Sequence, residues 1–83
     1  MSKQLILITA PFNCGYCKKA QEELPPLCES KGWDLIEIED ENGDSGFPVE
    51  TYPTFMIRVN DKMVDTITGY AGKDQIETKL NLY

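Results

Sequence analysis

Four consecutive aliphatic residues, Leu5-Ile6-Leu7-Ile8, open the apolar pattern of the chain, set between Gln4 and Thr9. A short run without alternation suits a strand covered on both faces, as in a helix-flanked sheet. Pro11 is expected to end it, because proline cannot donate to a sheet ladder. From Asn13 the period changes. Tyr16, Ala20, Leu24, Leu27 and Cys28 fall on one stripe of a helix, with Lys18, Lys19, Gln21, Glu22, Glu23 and Glu29 off it. Asn13 reads as the N-cap and Gly32 as a left-handed C-cap. Pro25 and Pro26 lack an N–H and crowd the turn before them, so a kinked or two-part helix is predicted.

Residues 33–39, Trp-Asp-Leu-Ile-Glu-Ile-Glu, read as a second strand with Trp33, Leu35 and Ile38 toward the core. Strand, helix and strand at this spacing make a βαβ unit, with parallel strands joined by a right-handed crossover. Residues 40–48, acidic and holding two glycines, read as a loop and the most mobile segment. Residues 54–59 and 63–68 are two strands about the turn Asn60-Asp61-Lys62, a hairpin. Residues 69–72 form a loop, and Ile76, Leu80 and Tyr83 share one face of a short closing helix. The order is βαβ followed by ββα. This is an α/β fold with a four-stranded mixed sheet flanked by helices, expected as one domain over residues 1–83.

Composition narrows the chemistry. At 83 residues the core is thin and the loops must be short. A net charge of −6 argues against non-specific nucleic-acid binding. No apolar run approaches the ~20 residues of a spanning helix, and Met1-Ser2-Lys3-Gln4 does not read as a signal peptide, so a cytoplasmic monomer is expected. The chain has no histidine, which removes Ser-His and Cys-His schemes and the commonest metal ligand. Three cysteines, an odd number, are a poor basis for a secreted disulfide scaffold. The cysteines are therefore the candidates for chemistry.

Cys14 and Cys17 form a Cys-x-x-Cys pair where a strand feeds a helix. At the helix N-terminus, free N–H groups and the macrodipole favour an anion, so the Cys14 thiol is expected below the free value of ~8.5. Cys17, one turn inside, is the natural resolving thiol. The blander readings are a structural disulfide or half a zinc site. For zinc, this pair plus Cys28 supplies three of four ligands. Lys18 and Lys19 oppose the dipole and stand in the less favourable order toward Glu22 and Glu23. They read either as an ordinary solvated face or as cations that favour a thiolate or meet an acidic partner. Cys28 reads as a buried, inert thiol. Phe12, Trp33, Phe47 and Phe55 read as core or groove wall, and the acidic residues 37–44 as a solvated strand end and loop.

Cys14-Gly15-Tyr16-Cys17, Tyr52-Pro53-Thr54-Phe55, and Gly69 followed by Lys73-Asp74-Gln75-Ile76 together resemble the thioredoxin/glutaredoxin superfamily. The length, the start on the first strand and Tyr16 look like glutaredoxin; Tyr-Pro-Thr-Phe and the run after the hairpin look like thioredoxin. The chain departs from both. Asn13 stands where thioredoxins carry Trp, Ile6 where they bury an acid, and Pro11 where glutaredoxins place a glutathione-binding lysine. The resemblance implies that Pro53 is cis and that the Tyr52 backbone pairs with substrate. Tyr16, Thr51, Tyr52, Pro53 and Gly69 would form the substrate groove, with Tyr70 either lining it or packed inside. It implies a thiol–disulfide oxidoreductase that reduces protein disulfides through Cys14 and Cys17, with no organic cofactor. Ribonucleotide reductase is an implied client, and a flavoprotein reductase or glutathione the implied electron source. Two other readings stay open: a non-catalytic binding subunit of a larger enzyme, and an iron–sulfur carrier using Cys14 and glutathione.

Overall fold

The computed structural model describes residues 2–10, 14–40 and 51–83. The elements run β1 (Lys3–Thr9), α1 (Gly15–Lys31), β2 (Asp34–Glu39), β3 (Thr54–Val59), β4 (Lys62–Thr68) and α2 (Lys73–Leu80). The expected βαβ-ββα order is what folds. Pro11 and residues 41–50, with the expected strand stop and acidic loop, lie outside the described residues.

The four strands form one sheet in the order β2-β1-β3-β4. β1 pairs parallel with β2 and antiparallel with β3, and β3 pairs antiparallel with β4. The aliphatic run is thus the central strand, and Leu5, Leu7 and Ile8 are fully buried. Its alternate side chains serve two clusters. Leu5 and Leu7 join Ala20, Leu24 and Cys28 of α1, Ile76 and Leu80 of α2, and Phe55, Ile57 and Ile67 of the hairpin. Ile6 and Ile8 point the other way, to Met56, Ile36, Ile38 and Tyr52. Both described helices therefore cover the same face of the sheet. Burying each large aliphatic contributes about 1.5–3 kcal/mol, so the two faces of β1 together fix its register.

Three expectations need correction. α1 is one continuous helix with Pro25 and Pro26 inside it, rather than two parts. The carbonyls that these prolines leave without a donor belong to Gln21 and Glu22. All four residues are exposed, so water can take the place of the missing N–H groups. Tyr16 leaves the apolar stripe, which instead runs Cys17, Ala20, Leu24, Cys28. α2 stops at Leu80, so Tyr83 lies past it and is exposed.

Two turns follow from residue chemistry. Gly32 is left-handed (φ 72°), and the Gly32 and Trp33 N–H groups donate to Glu29 and Cys28, closing α1. Asn60 and Asp61 are both left-handed (φ 52° and 68°), giving the two-residue turn that matches sheet twist. Lys62, expected in the turn, is consequently the first residue of β4 and pairs with Val59.

Candidate active site

The site is built where α1 begins. Cys14 has a non-helical backbone (φ −116°, ψ 89°), and its carbonyl accepts the first helical bond from the Lys18 N–H at 3.3 Å. Its Sγ accepts from the Cys17 N–H at 3.2 Å, so sulfur occupies the place of a capping oxygen. This corrects the sequence expectation: Cys14 is the cap, and Asn13 lies outside the described residues. Cys14 and Cys17 are joined as a disulfide, with their Cα atoms 5.2 Å apart. Cys17 is only 3% exposed, whereas Cys14 is half-buried. The first turn holds no acidic residue, and Lys18 and Lys19 are exposed beside the pair. The third cysteine, Cys28, is a buried free thiol, and burial pushes it up to about 11.

The segment before β3 meets the same edge of the sheet. β1 ends there at Thr9, β3 starts there with Thr54 opposite Ile8, and β4 ends there with Thr68 opposite Thr54. The Tyr52–Pro53 peptide is cis. The Gly69 N–H donates to the Pro53 carbonyl at 2.9 Å, from a left-handed backbone (φ 78°). The Thr54 hydroxyl donates to the Thr51 carbonyl at 2.6 Å. Thr51, Tyr52, Pro53 and Gly69 are thus drawn together by backbone bonds at the edge from which the chain leads to Cys14.

Asp40, the residue after β2, is 2% exposed. Its N–H donates to the Thr9 carbonyl at 2.8 Å, and its Oδ2 accepts from the Tyr52 hydroxyl at 2.5 Å. The hydrogen bond to Asp40, more than burial, pushes the Tyr52 hydroxyl above its ordinary value. The expectation of a solvated strand end therefore fails at Asp40. Nothing in the sequence around it marks it, because its partner is twelve residues away.

Tyr16 is 63% exposed and projects beside the disulfide, as expected for a contact residue. With Lys19, Glu23, Tyr70, Ala71 and Gly72 it lines a cleft of about 470 Å³. Tyr70 both packs inside and lines this cleft: its ring stacks at a tilt against Phe55, and its hydroxyl donates to Glu23 Oε1 at 2.6 Å. Phe55 and Trp33 are core, while Phe12 and Phe47 lie outside the described residues. Among the described residues no helix is long and apolar enough to cross a membrane, and no three His, Cys, Asp or Glu side chains are grouped to hold a metal ion.

No family model matches the chain. It is 31% identical over 75 residues to a thioredoxin of Listeria monocytogenes, an alignment spanning 84% of this chain and 73% of that protein. Among solved structures, a thioredoxin variant of Halobacterium salinarum superposes with a TM-score of 0.86 at 22% identity, over 99% of this chain and 74% of the other. Oxidised mitochondrial thioredoxin 3 of Saccharomyces cerevisiae superposes with a TM-score of 0.83 at 24% identity, over 99% and 79% of the two chains.

Proposed function

The chain belongs to the thioredoxin family and is a thiol–disulfide oxidoreductase, and from that premise we propose that Cys14 is the attacking thiol and Cys17 the resolving thiol in the reduction of protein disulfides. The observation that carries the assignment is the difference between the two sulfurs. The Cys14 sulfur caps α1 and is partly open to solvent, while Cys17 is closed off.

In the reduced protein, the Cys14 thiolate would accept the Cys17 N–H and sit at the positive end of α1, which lowers its energy relative to the thiol. It attacks one sulfur of the client disulfide; that S–S bond breaks, and the departing client thiolate takes a proton from water. A mixed disulfide now joins Cys14 to the client. The Cys17 thiol gives up its proton and attacks Cys14 Sγ, releasing the second client thiolate. Two electrons pass to the client, and the protein is left with the Cys14–Cys17 disulfide seen here. Cys17 lies on the buried stripe of α1, which shields it from solvent and leaves the mixed disulfide as its accessible target.

Tyr16, Thr51, Tyr52, Pro53 and Gly69 are the groove for an extended client segment, the Tyr52 backbone pairing with it. The edge they share with the disulfide supports this reading. Family membership supports a flavoprotein reductase as electron donor, with glutathione as the other candidate co-substrate, and clients of the ribonucleotide reductase type in the cytoplasm. The chain is expected to work as a monomer.

The Cys17→Ser variant tests the assignment. Incubated with an oxidised client, it should accumulate a mixed disulfide through Cys14, reversible by dithiothreitol. A Cys17→Ser protein that forms no such adduct, while Cys14→Ser forms one through Cys17, would reverse the roles.

A further inference from the structure

Asp40 is the one acidic residue of the described chain that is almost wholly buried, and it is buried against the segment that meets substrate. Its N–H is bonded to Thr9 at the end of β1, and its carboxyl accepts the Tyr52 hydroxyl at 2.5 Å. That length lies in the range of about 2.5–2.7 Å found for hydroxyl-to-carboxylate bonds, the stronger class of hydrogen bond. Tyr52 immediately precedes the cis peptide to Pro53, and its ring packs on the Ile6–Ile8–Met56 face of the sheet. On the far side, Pro53 is fixed by the Gly69 N–H. The side chain of Tyr52 is therefore held at its tip by a group anchored to β1, while the next residue is held by the loop after β4.

From this we infer that Asp40 is a positioning residue for client binding. Through the Tyr52 hydroxyl it fixes the backbone of residues 52–53 in the attitude that pairs with an extended client strand. The inference rests on the reading of Tyr52 and Pro53 as the client-facing segment. Its chemical basis is preorganisation: a backbone that is already ordered loses less freedom when a strand docks on it. The effect should fall on clients that lay a strand along residue 52, and much less on a disulfide too small to reach it. A bond that acts by position also differs from one that acts by charge, since an amide oxygen can accept the Tyr52 hydroxyl as a carboxylate does.

The test compares reduction of insulin with reduction of dithiobis-nitrobenzoate, both driven by dithiothreitol, in the full chain and in Asp40→Ala, Asp40→Asn and Tyr52→Phe. The preference for insulin, taken as the ratio of the two kcat/KM values, should fall about three- to tenfold in Asp40→Ala and Tyr52→Phe, through KM. Asp40→Asn should keep most of the preference, and the Cys14/Cys17 potential should stay constant throughout. An unchanged ratio in Tyr52→Phe overturns the inference. So does an Asp40→Asn that falls as far as Asp40→Ala, or a shifted potential, since either assigns the effect to charge. If Asp40→Ala does not fold, the contrast between Tyr52→Phe and Asp40→Asn decides alone. An unmodified chain inert toward insulin would overturn the reductase reading as well, which separates that failure from failure of the inference.

Discussion

Tyr70 and Glu23 stand 47 residues apart in sequence, and the hydroxyl of one donates to the carboxylate of the other at 2.6 Å. The bond ties the loop after β4 to the solvent side of α1, beside the exposed ring of Tyr16. Tyr70→Phe keeps the ring against Phe55 and deletes only this bond. Because Glu23 is exposed, the loss should be modest, about 1 kcal/mol in urea denaturation. Burial and then Glu23 hold the Tyr70 hydroxyl above its ordinary 10.0, so the native fold keeps its proton longer than the unfolded chain. This bond therefore contributes fully below pH 10 and weakens above it.

Cys28 gives a second alkaline signature. Its thiol moves from 9.0 to about 11 on burial, so between these values the unfolded chain sheds a proton that the native chain retains. Stability should fall as pH rises from 9 to 11, by a total approaching about 2.7 kcal/mol. Cys28→Ala lacks this term. At pH 8 the variant should be the less stable protein, by about 1 kcal/mol for the lost sulfur. The gap should close or invert by pH 11, as read from paired urea curves. A constant gap would show that the thiol is not buried as described.

Pro25 and Pro26 should be replaceable with profit to the fold. Each sits in the exposed interior of α1 and removes a helical hydrogen bond. Pro25→Ala and Pro26→Ala are each expected to stabilise the native state by about 1–3 kcal/mol, less whatever the greater freedom of the unfolded chain returns. Thermal melts of the single variants would measure it, with Tm rising in both.

Tyr16 should separate function from stability. Its ring is exposed and outside the buried stripe, so Tyr16→Ala should change unfolding free energy by no more than about 0.5 kcal/mol. Its position beside the disulfide predicts a KM for insulin raised about three- to tenfold. A variant with unaltered KM would remove Tyr16 from the groove.

Features governed by short-range chemistry were legible from the residues. The central strand, the Gly32 cap, the Asn60-Asp61 turn and the Cys-x-x-Cys joint all follow from neighbours within a few positions. The departures arise where a distant group or solvent decides. Asp40 looks like one more acid in an acidic stretch until the sheet brings Tyr52 over it. Pro25 and Pro26 look like helix breakers until the rest of the stripe is buried and their own face is left to water. Tyr16 is in phase with the apolar stripe, yet Cys17 takes the inward place because the disulfide turns the first turn of α1.

The place of β1 carries a hazard during folding. Leu5 must find Leu35 on one side and Ile57 on the other, and until the later segments dock both edges of this strand are open. Leu5-Ile6-Leu7-Ile8 then has the composition of a self-associating segment: branched or aliphatic, uncharged and free of proline. Lys3, immediately before it, is the charge that discourages chains from stacking at this point. Its ammonium stands 5.7 Å from the Trp33 ring and donates to the Tyr83 carbonyl in the finished fold. The same cation thus guards against aggregation before folding and is held in place by the native contacts afterwards.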